Sequence, residues 1–431
     1  MKIERLKITN FMRFASREFT FHPQFNLIVG ENASGKTSIL DALSIAVDVW
    51  FLGLRSAQTA GGISPKQVHV EPHQFEDSLS FEPQFPARIE VNGQVLGQFL
   101  AWSRELSSEK GRTTTSEARA LIDLAKEADR KVRVNENVTL PMIGCYGVER
   151  LWFETAHRKP EKKKPAQELP SRFDGYRDCT SFEIQESDLV DWIRDQQEAG
   201  DARKAGTIAL EVVKQAIASC VEFAPDLYFN RHYKQLILGS ELADFQMFRN
   251  LSDGQRLLLT QIGDLARRVV TLNPHLSRDA LHQTPGIVMI DELDLHLHPK
   301  WQRKIIEDLR RVFPNIQFIV TTHSPFLIQS LRSGEELVML EGQPTAELAN
   351  KPLEDIARGI MGVPNPEVSE RYENMKETAR NYLEILEGAS KAPKEKLEEY
   401  KAKLSEATTQ FADNPAFQAF LEMKRAAKIG E

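Results

Sequence analysis

The sequence has few cysteines, no long apolar run and no excess of positive charge. Its three cysteines, Cys145, Cys179 and Cys220, lie far apart among 431 residues and form no Cys-x-x-Cys pair. This spacing excludes a disulfide framework and a cysteine zinc site, and it predicts reduced thiols in the cytoplasm. No run of about 18 apolar residues occurs, which excludes a transmembrane helix and argues against a membrane partner.

The charge balance and the start of the chain exclude two further classes of protein. The net charge of −7 argues against a generally cationic nucleic-acid binder, although it leaves room for a local basic groove. The first residues alternate in polarity and include Glu4, unlike a signal peptide. The length allows two or three lobes with sizeable cores.

What the sequence does contain begins with a glycine-rich loop. Phe25–Val29 is a short apolar run typical of a buried strand, and a helical pattern starts at Thr37. The eight residues from Gly30 to Thr37 follow Gly-x-x-x-x-Gly-Lys-Thr, the pattern of a phosphate-binding loop, and a chance match in an ordinary loop is the alternative. We expect nucleotide contacts from Gly30, Glu31, Asn32, Ala33, Ser34, Gly35, Lys36, Thr37 and Ser38.

A second segment, more than two hundred residues downstream, supplies acids to the same site. Ile287–Ile290 predicts a buried strand that ends at Asp291 and Glu292. Together with the phosphate loop, this pattern predicts ATP with Mg²⁺, held by Thr37 and Asp291. Lys36 would then contact the β- and γ-phosphates, and Glu292 would polarise the attacking water. An apolar strand that merely ends in two acids is the alternative.

The sequence Ser-Asp-Gly-Gln at 252–255 is typical of a helix start, and the helical pattern continues to about Thr271. A serine hydroxyl and free amides at a helix N-terminus form an anion site, and we include Ser252, Gly254 and Gln255 among the nucleotide contacts. An ordinary helix cap without a ligand is the alternative.

Four further candidate residues follow the two acids along the chain. Asp294 follows Glu292 by two residues, and His323 ends the next predicted strand, Ile316–Val320. His323 could contact the γ-phosphate or make a structural hydrogen bond. His296 and His298 could join His323 in a metal site, but they fit local loop geometry better because Pro299 suits a helix start.

Two assignments stay open at this point. Arg13 could lie near the phosphates or be an ordinary surface arginine. The residue of the glutamine loop could be Gln67, Gln74 or Gln84, which all follow the first helix.

These motifs together resemble ABC-type ATPase heads of the SMC, RecF and OLD-like kinds. The resemblance rests on the phosphate loop, on 251–255, on 291–299 and on 321–325. It implies an α/β head with a mixed β-sheet that closes face to face with a second copy on ATP. Ser252 of one copy would then face the γ-phosphate held by the other, Asp294 would cross the interface, and His323 would act catalytically with Lys36 and Glu292.

Two shorter stretches resemble the PtuA ATPases of Septu and retron-linked antiphage systems. They are Tyr146–Trp152 and Asn414–Arg425. The resemblance implies an HNH nuclease partner similar to PtuB, with DNA contacted through that partner, and an ATPase without nuclease chemistry of its own. The OLD nucleases carry a C-terminal Toprim domain, for which about ninety helical residues leave no room.

We expect four segments: residues 1–110 as the first part of the head, 111–230 as a mainly helical insertion, 231–345 as the second part of the head, and 346–431 as a helical extension. In the extension, Asn414 can cap a helix whose apolar stripe contains Phe417, Phe420 and Leu421. The stripe could dock a partner or pack on the chain itself.

Two functions follow as hypotheses. In the first, the chain is the ATPase of an antiphage complex that controls a nuclease. In the second, it is a RecF-like clamp that holds duplex DNA with ATP and has no nuclease partner. Adjacent nuclease genes would favour the first, and salt-dependent duplex binding by this chain alone would favour the second.

Overall fold

The computed structural model describes residues 1–55, 61–75, 78–148, 170–203, 207–239, 245–341, 351–390 and 414–429. The chain divides into two compact units, Met1–Ile356 and Ala357–Glu431. The first three predicted segments therefore lie in one unit, and the second unit holds most of the fourth. Positions 149–152 of the stretch that begins at Tyr146 lie outside the described residues.

A parallel five-stranded sheet forms the centre of the first unit. All five strands are mostly apolar and mostly buried, as expected of parallel strands covered on both faces. In sheet order they are β14 (Leu337–Met339), β3 (Phe25–Val29), β13 (Ile316–Thr321), β12 (Gly286–Ile290) and β8 (Met142–Tyr146). Because the strands are parallel, the loops that follow them meet at one edge, where open α/β sheets bind ligands.

An antiparallel four-stranded sheet completes the head. Its alternating side chains point in turn to the core and to solvent, which confirms the predicted opening pair. Its order is β2 (Phe14–Thr20), β1 (Lys2–Phe11), β6 (Ala87–Val95) and β7 (Gln98–Leu106). Two smaller antiparallel groups are β4 (Val70–Phe75) with β5 (Ser78–Pro83), and β9 (Leu227–Asn230) with β10 (Gln235–Leu238) and β11 (Gln246–Met247). The predicted α/β class is confirmed. Parallel and antiparallel strands lie in separate sheets, however, and not together in one mixed sheet.

The helices of the first unit agree with most of the predicted patterns. They are α1 (Lys36–Val47), α2 (Arg119–Arg133), α3 (Glu186–Arg203), α4 (Ile208–Cys220), α5 (Asp253–Leu272), α6 (Ala280–Gln283), α7 (Pro299–Gln302), α8 (Ile305–Val312), α9 (Pro325–Gln329) and α10 (Leu353–Gly359), the last of which crosses the boundary between the units. The apolar spacing from Pro299 to Val312 predicts one helix, but the structure contains two, α7 and α8. The break lies at Lys304, whose φ of −118° departs from the helical range.

The segment 111–230 holds more than helices, because β8 lies within it and pairs with β12 in the central sheet. The segment is also tied to the head at α2. A Cβ on Gly53 would lie 2.4 Å from the carbonyl oxygen of Ile122, so the backbone of α2 touches the turn that follows α1.

The second unit contains α11 (Glu370–Ser390) and α12 (Pro415–Ile429). Asn414 caps α12 as predicted, because its side-chain oxygen accepts the Phe417 N–H at 3.1 Å. The predicted stripe is divided between core and solvent. Leu421 is fully buried against Tyr382 and Leu386 with Phe417 packed beside it, whereas Phe420 is 41% exposed.

The three cysteines are free and buried. Burial raises the pKa of Cys179 and of Cys220 to about 12, so both thiols stay protonated and unreactive at neutral pH. None of the described helices is both long enough and apolar enough to cross a lipid bilayer.

Candidate functional site

The phosphate loop joins β3 to α1 in the way that the sequence predicts. Gly35 has φ +103°, and a Cβ there would lie 2.7 Å from Cζ of Phe14. Only glycine combines this left-handed backbone with so close a neighbour. Ala33 also has a left-handed φ of +62°, so the loop turns tightly before α1 begins at Lys36.

Lys36 folds back over the loop that precedes it. Its Nζ donates to the carbonyl oxygens of Gly30 at 2.8 Å and Glu31 at 2.9 Å. Burial lowers the pKa of Lys36, and the carboxylates of Asp291, Glu292 and Asp294 act in the opposite direction. The ammonium group therefore lies at the mouth of the loop, within reach of the negative charge on the strand that ends beside it.

One buried polar atom in this loop supports a phosphate site. The hydroxyl oxygen of Ser34 is buried and has no hydrogen-bond partner among the described residues. A buried hydroxyl without a partner costs free energy unless a ligand supplies one. Together with the glycine-lined turn and Lys36, this hydroxyl fits the oxygen-rich surface of a nucleotide phosphate.

The acids of the predicted strand end lie beside the first turn of α1. The Thr37 hydroxyl donates to Oδ2 of Asp291 at 3.0 Å, and the Thr321 hydroxyl donates to Oδ1. Burial and the nearby Asp291 carboxylate raise the pKa of Asp41 to about 6. A hydroxyl together with carboxylates that repel one another fits a hard divalent cation such as Mg²⁺, which would relieve the repulsion.

Glu292 leaves β12 in a left-handed turn with φ +50°. Its N–H donates to the Thr321 hydroxyl oxygen at 2.7 Å, and the Leu293 N–H donates to the Thr321 carbonyl at 3.0 Å. A non-glycine residue in this region is strained, so these two bonds fix a conformation that the chain would otherwise avoid.

Asp294 and His323 are brought together within the chain. Oδ1 of Asp294 accepts the Thr322 hydroxyl at 2.5 Å and the His323 N–H at 3.3 Å. Asp294 thus orders the turn that carries the half-buried His323. Its predicted contact across an interface, and the catalytic role of His323, stay predictions.

Ser252 caps α5 with Gln255. The Gln255 side-chain oxygen accepts the Ser252 N–H at 3.0 Å, and the Ser252 hydroxyl accepts the Gln255 N–H at 3.4 Å. A Cβ on Gly254 would lie only 2.1 Å from the carbonyl oxygen of His296, so the helix start packs directly on that backbone. A cavity of about 730 Å³ opens beside it, lined by Glu222, Phe223, Ser252, Gln255, His296, Leu297, His298, Lys300 and Trp301.

The two loop histidines have local structural positions. His298 caps α7, because its Nδ1 accepts the Lys300 N–H at 3.2 Å. His296 occupies a left-handed turn with φ +57°. Within the described ranges, no group of three or more His, Cys, Asp or Glu side chains is arranged to hold a metal ion.

The open assignments from the sequence are only partly resolved. Arg13 donates from its guanidinium to the carbonyl oxygen of Ala33, so it braces the phosphate loop from outside. Gln67 accepts the Ser64 N–H in a small cap, Gln84 donates to the Glu82 carbonyl, and Gln74 lies on the exposed β4–β5 hairpin. No hydrogen bond described for these glutamines reaches the acids.

The sequence alone missed three members of the site. Thr321 binds both acids, Asp41 lies near Asp291, and the Tyr146 carbonyl accepts the Asp291 N–H at 2.8 Å. Thr321 and Tyr146 end strands that flank β12. The only signal in the sequence that could have identified Thr321 and Tyr146 is their position at the carboxyl ends of two short apolar runs.

Comparison with known proteins agrees with this geometry. Residues 25–329 match the family described as "AAA domain, putative AbiEii toxin, Type IV TA system". The "Retron Vc95 probable ATPase" of Vibrio cholerae serotype O1 biovar El Tor is 26% identical over 392 residues, 79% of this chain and 74% of the relative. The "Retron Ec83 probable ATPase" of Escherichia coli is 25% identical over 409 residues, 80% of this chain and 72% of the relative.

A third relative is similar over a shorter region. The "Septu protein PtuA" of Bacillus mycoides (strain KBAB4) is 36% identical over 133 residues, which are 30% of this chain and 18% of the relative. The family match covers more than half of the chain and contains the phosphate loop, the cap of α5, both acids and His323. The chain therefore belongs to this AAA-domain family and is an ATPase.

Proposed function

We propose that this ATPase is the nucleotide-controlled subunit of an antiphage defence complex, in which two copies close on ATP and Mg²⁺ and thereby control an HNH nuclease. One observation carries the proposal of a shared site. Ser252 lies at the start of α5 beside the 730 Å³ cavity, and no phosphate-loop residue is among the residues that line it. The retron and Septu names of the relatives support the defence role.

Within one copy, each side chain has a distinct task. Lys36 and the amides of the phosphate loop bind the phosphates, and Thr37 with Asp291 would hold Mg²⁺, which neutralises phosphate charge when bound. Glu292 accepts a proton from the attacking water. His323 approaches the γ-phosphate on the turn that Asp294 orders.

Mixing two inactive variants tests whether the site is shared between copies. Lys36→Ala removes a phosphate contact, and Ser252→Arg blocks the cap of α5. If Ser252 serves the partner's nucleotide, a mixed dimer retains one intact site of two. An equal mixture, in which half of the dimers are mixed, should therefore recover about a quarter of the wild-type hydrolysis rate.

The control for that experiment combines two defects on the same side of the site. A mixture of Lys36→Ala with Glu292→Gln leaves no intact site in any dimer, so no activity should return. Recovery in both mixtures, or in neither, would contradict a site shared between copies.

The nuclease partner requires a separate experiment. We propose that it docks on the exposed face of α12, where Phe420 is 41% and Met423 62% exposed. The full chain should co-purify with an HNH protein encoded beside it, and ATP should change the amount recovered. Replacing both residues by serine should release the nuclease, whereas Glu422→Gln, on an exposed residue between them, should not.

The same preparation also tests the alternative hypothesis of a RecF-like DNA clamp. If the pure chain binds duplex DNA with a steep dependence on salt and on ATP, and no nuclease co-purifies, the RecF-like hypothesis is the correct one. The protonated, buried thiols support the proposed cytoplasmic setting.

A further inference from the structure

Tyr146 is attached to the ATPase site by its backbone and to α5 by its side chain. It is the last residue of β8, and its carbonyl oxygen accepts the N–H of Asp291 at 2.8 Å. Its hydroxyl donates to Oδ2 of Asp264 at 2.8 Å. Asp264 lies in the middle of α5, about 18 Å along the helix axis from Ser252. One residue thus connects the metal-binding acid to the helix that Ser252 caps.

Asp264 is held firmly in this position. Arg268 donates to the same carboxylate oxygen at 2.7 Å, and Arg267 donates to the other. Arg268 also donates to the carbonyl oxygens of Gly175 at 3.1 Å and Arg177 at 2.7 Å. Arg268, which this carboxylate orients, therefore joins α5 to the segment that runs beside β8.

That segment is paired directly with β8. The Cys145 N–H donates to the Cys179 carbonyl at 2.7 Å, and the Gly147 N–H donates to the Phe182 carbonyl at 2.7 Å. Tyr146 is 2% exposed, and the carboxylate of Asp264 is similarly buried. A hydrogen bond from a neutral phenol to a buried carboxylate is strong and directional, because water cannot replace it.

The charge states of the pair suit this bond. Burial alone would raise the pKa of Asp264, but Arg268 and Arg267 hold that pKa well below its usual range. Burial and the neighbouring carboxylate raise the pKa of Tyr146 well above its usual value. The phenol thus remains a donor and the carboxylate an acceptor throughout the neutral range.

A second contact joins the same helix to the same strand end. At its N-terminus, α5 touches the backbone at His296 through Gly254, four residues beyond Glu292. The helix is therefore connected to the acidic loop near its start and near its middle. A displacement of α5 along its axis would act on both ends of this connection.

We propose that Tyr146 is a positioning residue for ATP hydrolysis, which holds Asp291 in register with α5 through its hydrogen bond to Asp264. This inference rests on the ATPase activity and on contacts within one chain. It does not depend on the proposed dimer or on the nuclease partner.

Tyr146→Phe in the full-length protein tests the role, because the change removes one oxygen atom and keeps the buried ring. Tyr176→Phe is a matched control. Tyr176 is equally buried, and its hydroxyl donates to the Pro141 carbonyl at 2.8 Å and accepts the Trp50 indole N–H at 3.2 Å. Both variants should lose similar thermal stability.

Only Tyr146→Phe should change the chemistry. We expect kcat to fall by roughly tenfold to a hundredfold while KM for ATP changes little, because a misplaced metal ligand impairs the reaction more than binding. The Mg²⁺ concentration that half-saturates binding of a fluorescent ATP analogue should also rise. In hydrogen exchange without nucleotide, the amide of Asp291 should exchange faster than in wild type.

Equal kcat values for Tyr146→Phe and Tyr176→Phe would overturn the proposal, as would unchanged Mg²⁺ dependence and exchange at Asp291. If Tyr146→Phe does not fold, Arg267→Gln serves instead. This change removes one of the two ion pairs that hold the Asp264 carboxylate, and the Arg267 side chain is 16% exposed, so the fold should tolerate it. It should lower kcat by a smaller factor at unchanged KM, and a folded Arg267→Gln protein with wild-type kcat would equally reject the positioning role.

Discussion

A single hydroxyl group organises both acids of the site. The Thr321 hydroxyl donates to Asp291 and accepts the Glu292 N–H, so it fixes the Asp291 carboxylate and the strained turn at Glu292 together. Nothing in the local sequence around Thr321 indicates this task. It follows from the pairing of β13 with β12, which places the two strand ends side by side.

We expect Thr321→Val to impair hydrolysis, because it preserves the shape of the side chain but leaves the Glu292 N–H without its acceptor. The lost bonds should cost about 1–3 kcal/mol of folding stability. Phosphate release should slow at least about tenfold, whereas Thr321→Ser, which keeps the hydroxyl, should stay near wild type. Equal rates in the valine and serine variants would disprove the role of this hydroxyl.

Glu292→Gln should retain ATP binding while slowing hydrolysis by at least about a hundredfold, because the amide cannot accept the proton of the attacking water. The proposed closed dimer should consequently live longer in ATP, which light scattering can measure. Glu335→Gln, on an exposed glutamate, is the control and should behave as wild type. Normal turnover in Glu292→Gln would remove this residue as the base.

At the level of elements, the start of α5 is constrained by a backbone contact. Gly254→Ala would place a Cβ 2.1 Å from the His296 carbonyl oxygen, so either the helix or the loop must move. We expect a loss of about 1–3 kcal/mol in unfolding free energy together with slower hydrolysis. Gly359→Ala adds a methyl group with no atom within 4 Å, so it should neither lower the unfolding free energy in this way nor slow hydrolysis. A stable, fully active Gly254→Ala protein would contradict this contact.

The two faces of α12 should respond differently to truncation. Leu421 is fully buried against α11, so Leu421→Ala should cost about 2–5 kcal/mol of local stability. Phe420→Ala, at the neighbouring exposed position, should have a much smaller effect. Hydrogen exchange of the amides in α11 and α12 measures both, and equal protection in the two variants would mean that this pairing is absent in solution.

Strands and helices with a clear hydrophobic period were predicted well, but the residues at which they begin and end were predicted less well. The strand before the phosphate loop, the helix after Ser252 and the cap at Asn414 follow from local pattern. The division of 299–312 at Lys304 was not predictable, because the apolar spacing continues through it. The apolar run Met142–Tyr146 by itself predicts a buried strand, but the place of β8 in the central sheet depends on pairing with residues more than a hundred positions away.

For the whole molecule, the resemblance to PtuA ATPases predicts that this chain has no nuclease chemistry of its own. Among the described residues, no cluster of three or more metal-binding side chains is present. We therefore expect the purified chain to leave duplex DNA intact in Mg²⁺ or Mn²⁺ with ATP. The assay should include the co-purified nuclease as a positive control. DNA cleavage that disappears on substituting a residue of this chain would refute the prediction.

The sequence by itself determined the ATPase chemistry. A phosphate loop needs a strand, glycines, a lysine and a helix start in immediate succession, and the strand that carries Asp291 and Glu292 is equally local, so both can be read from neighbouring residues. Only the tertiary structure decided how these parts are held. Thr321 and Tyr146 reach Asp291, and Gly254 meets His296, through contacts between distant segments, and such contacts leave no periodic pattern in the chain.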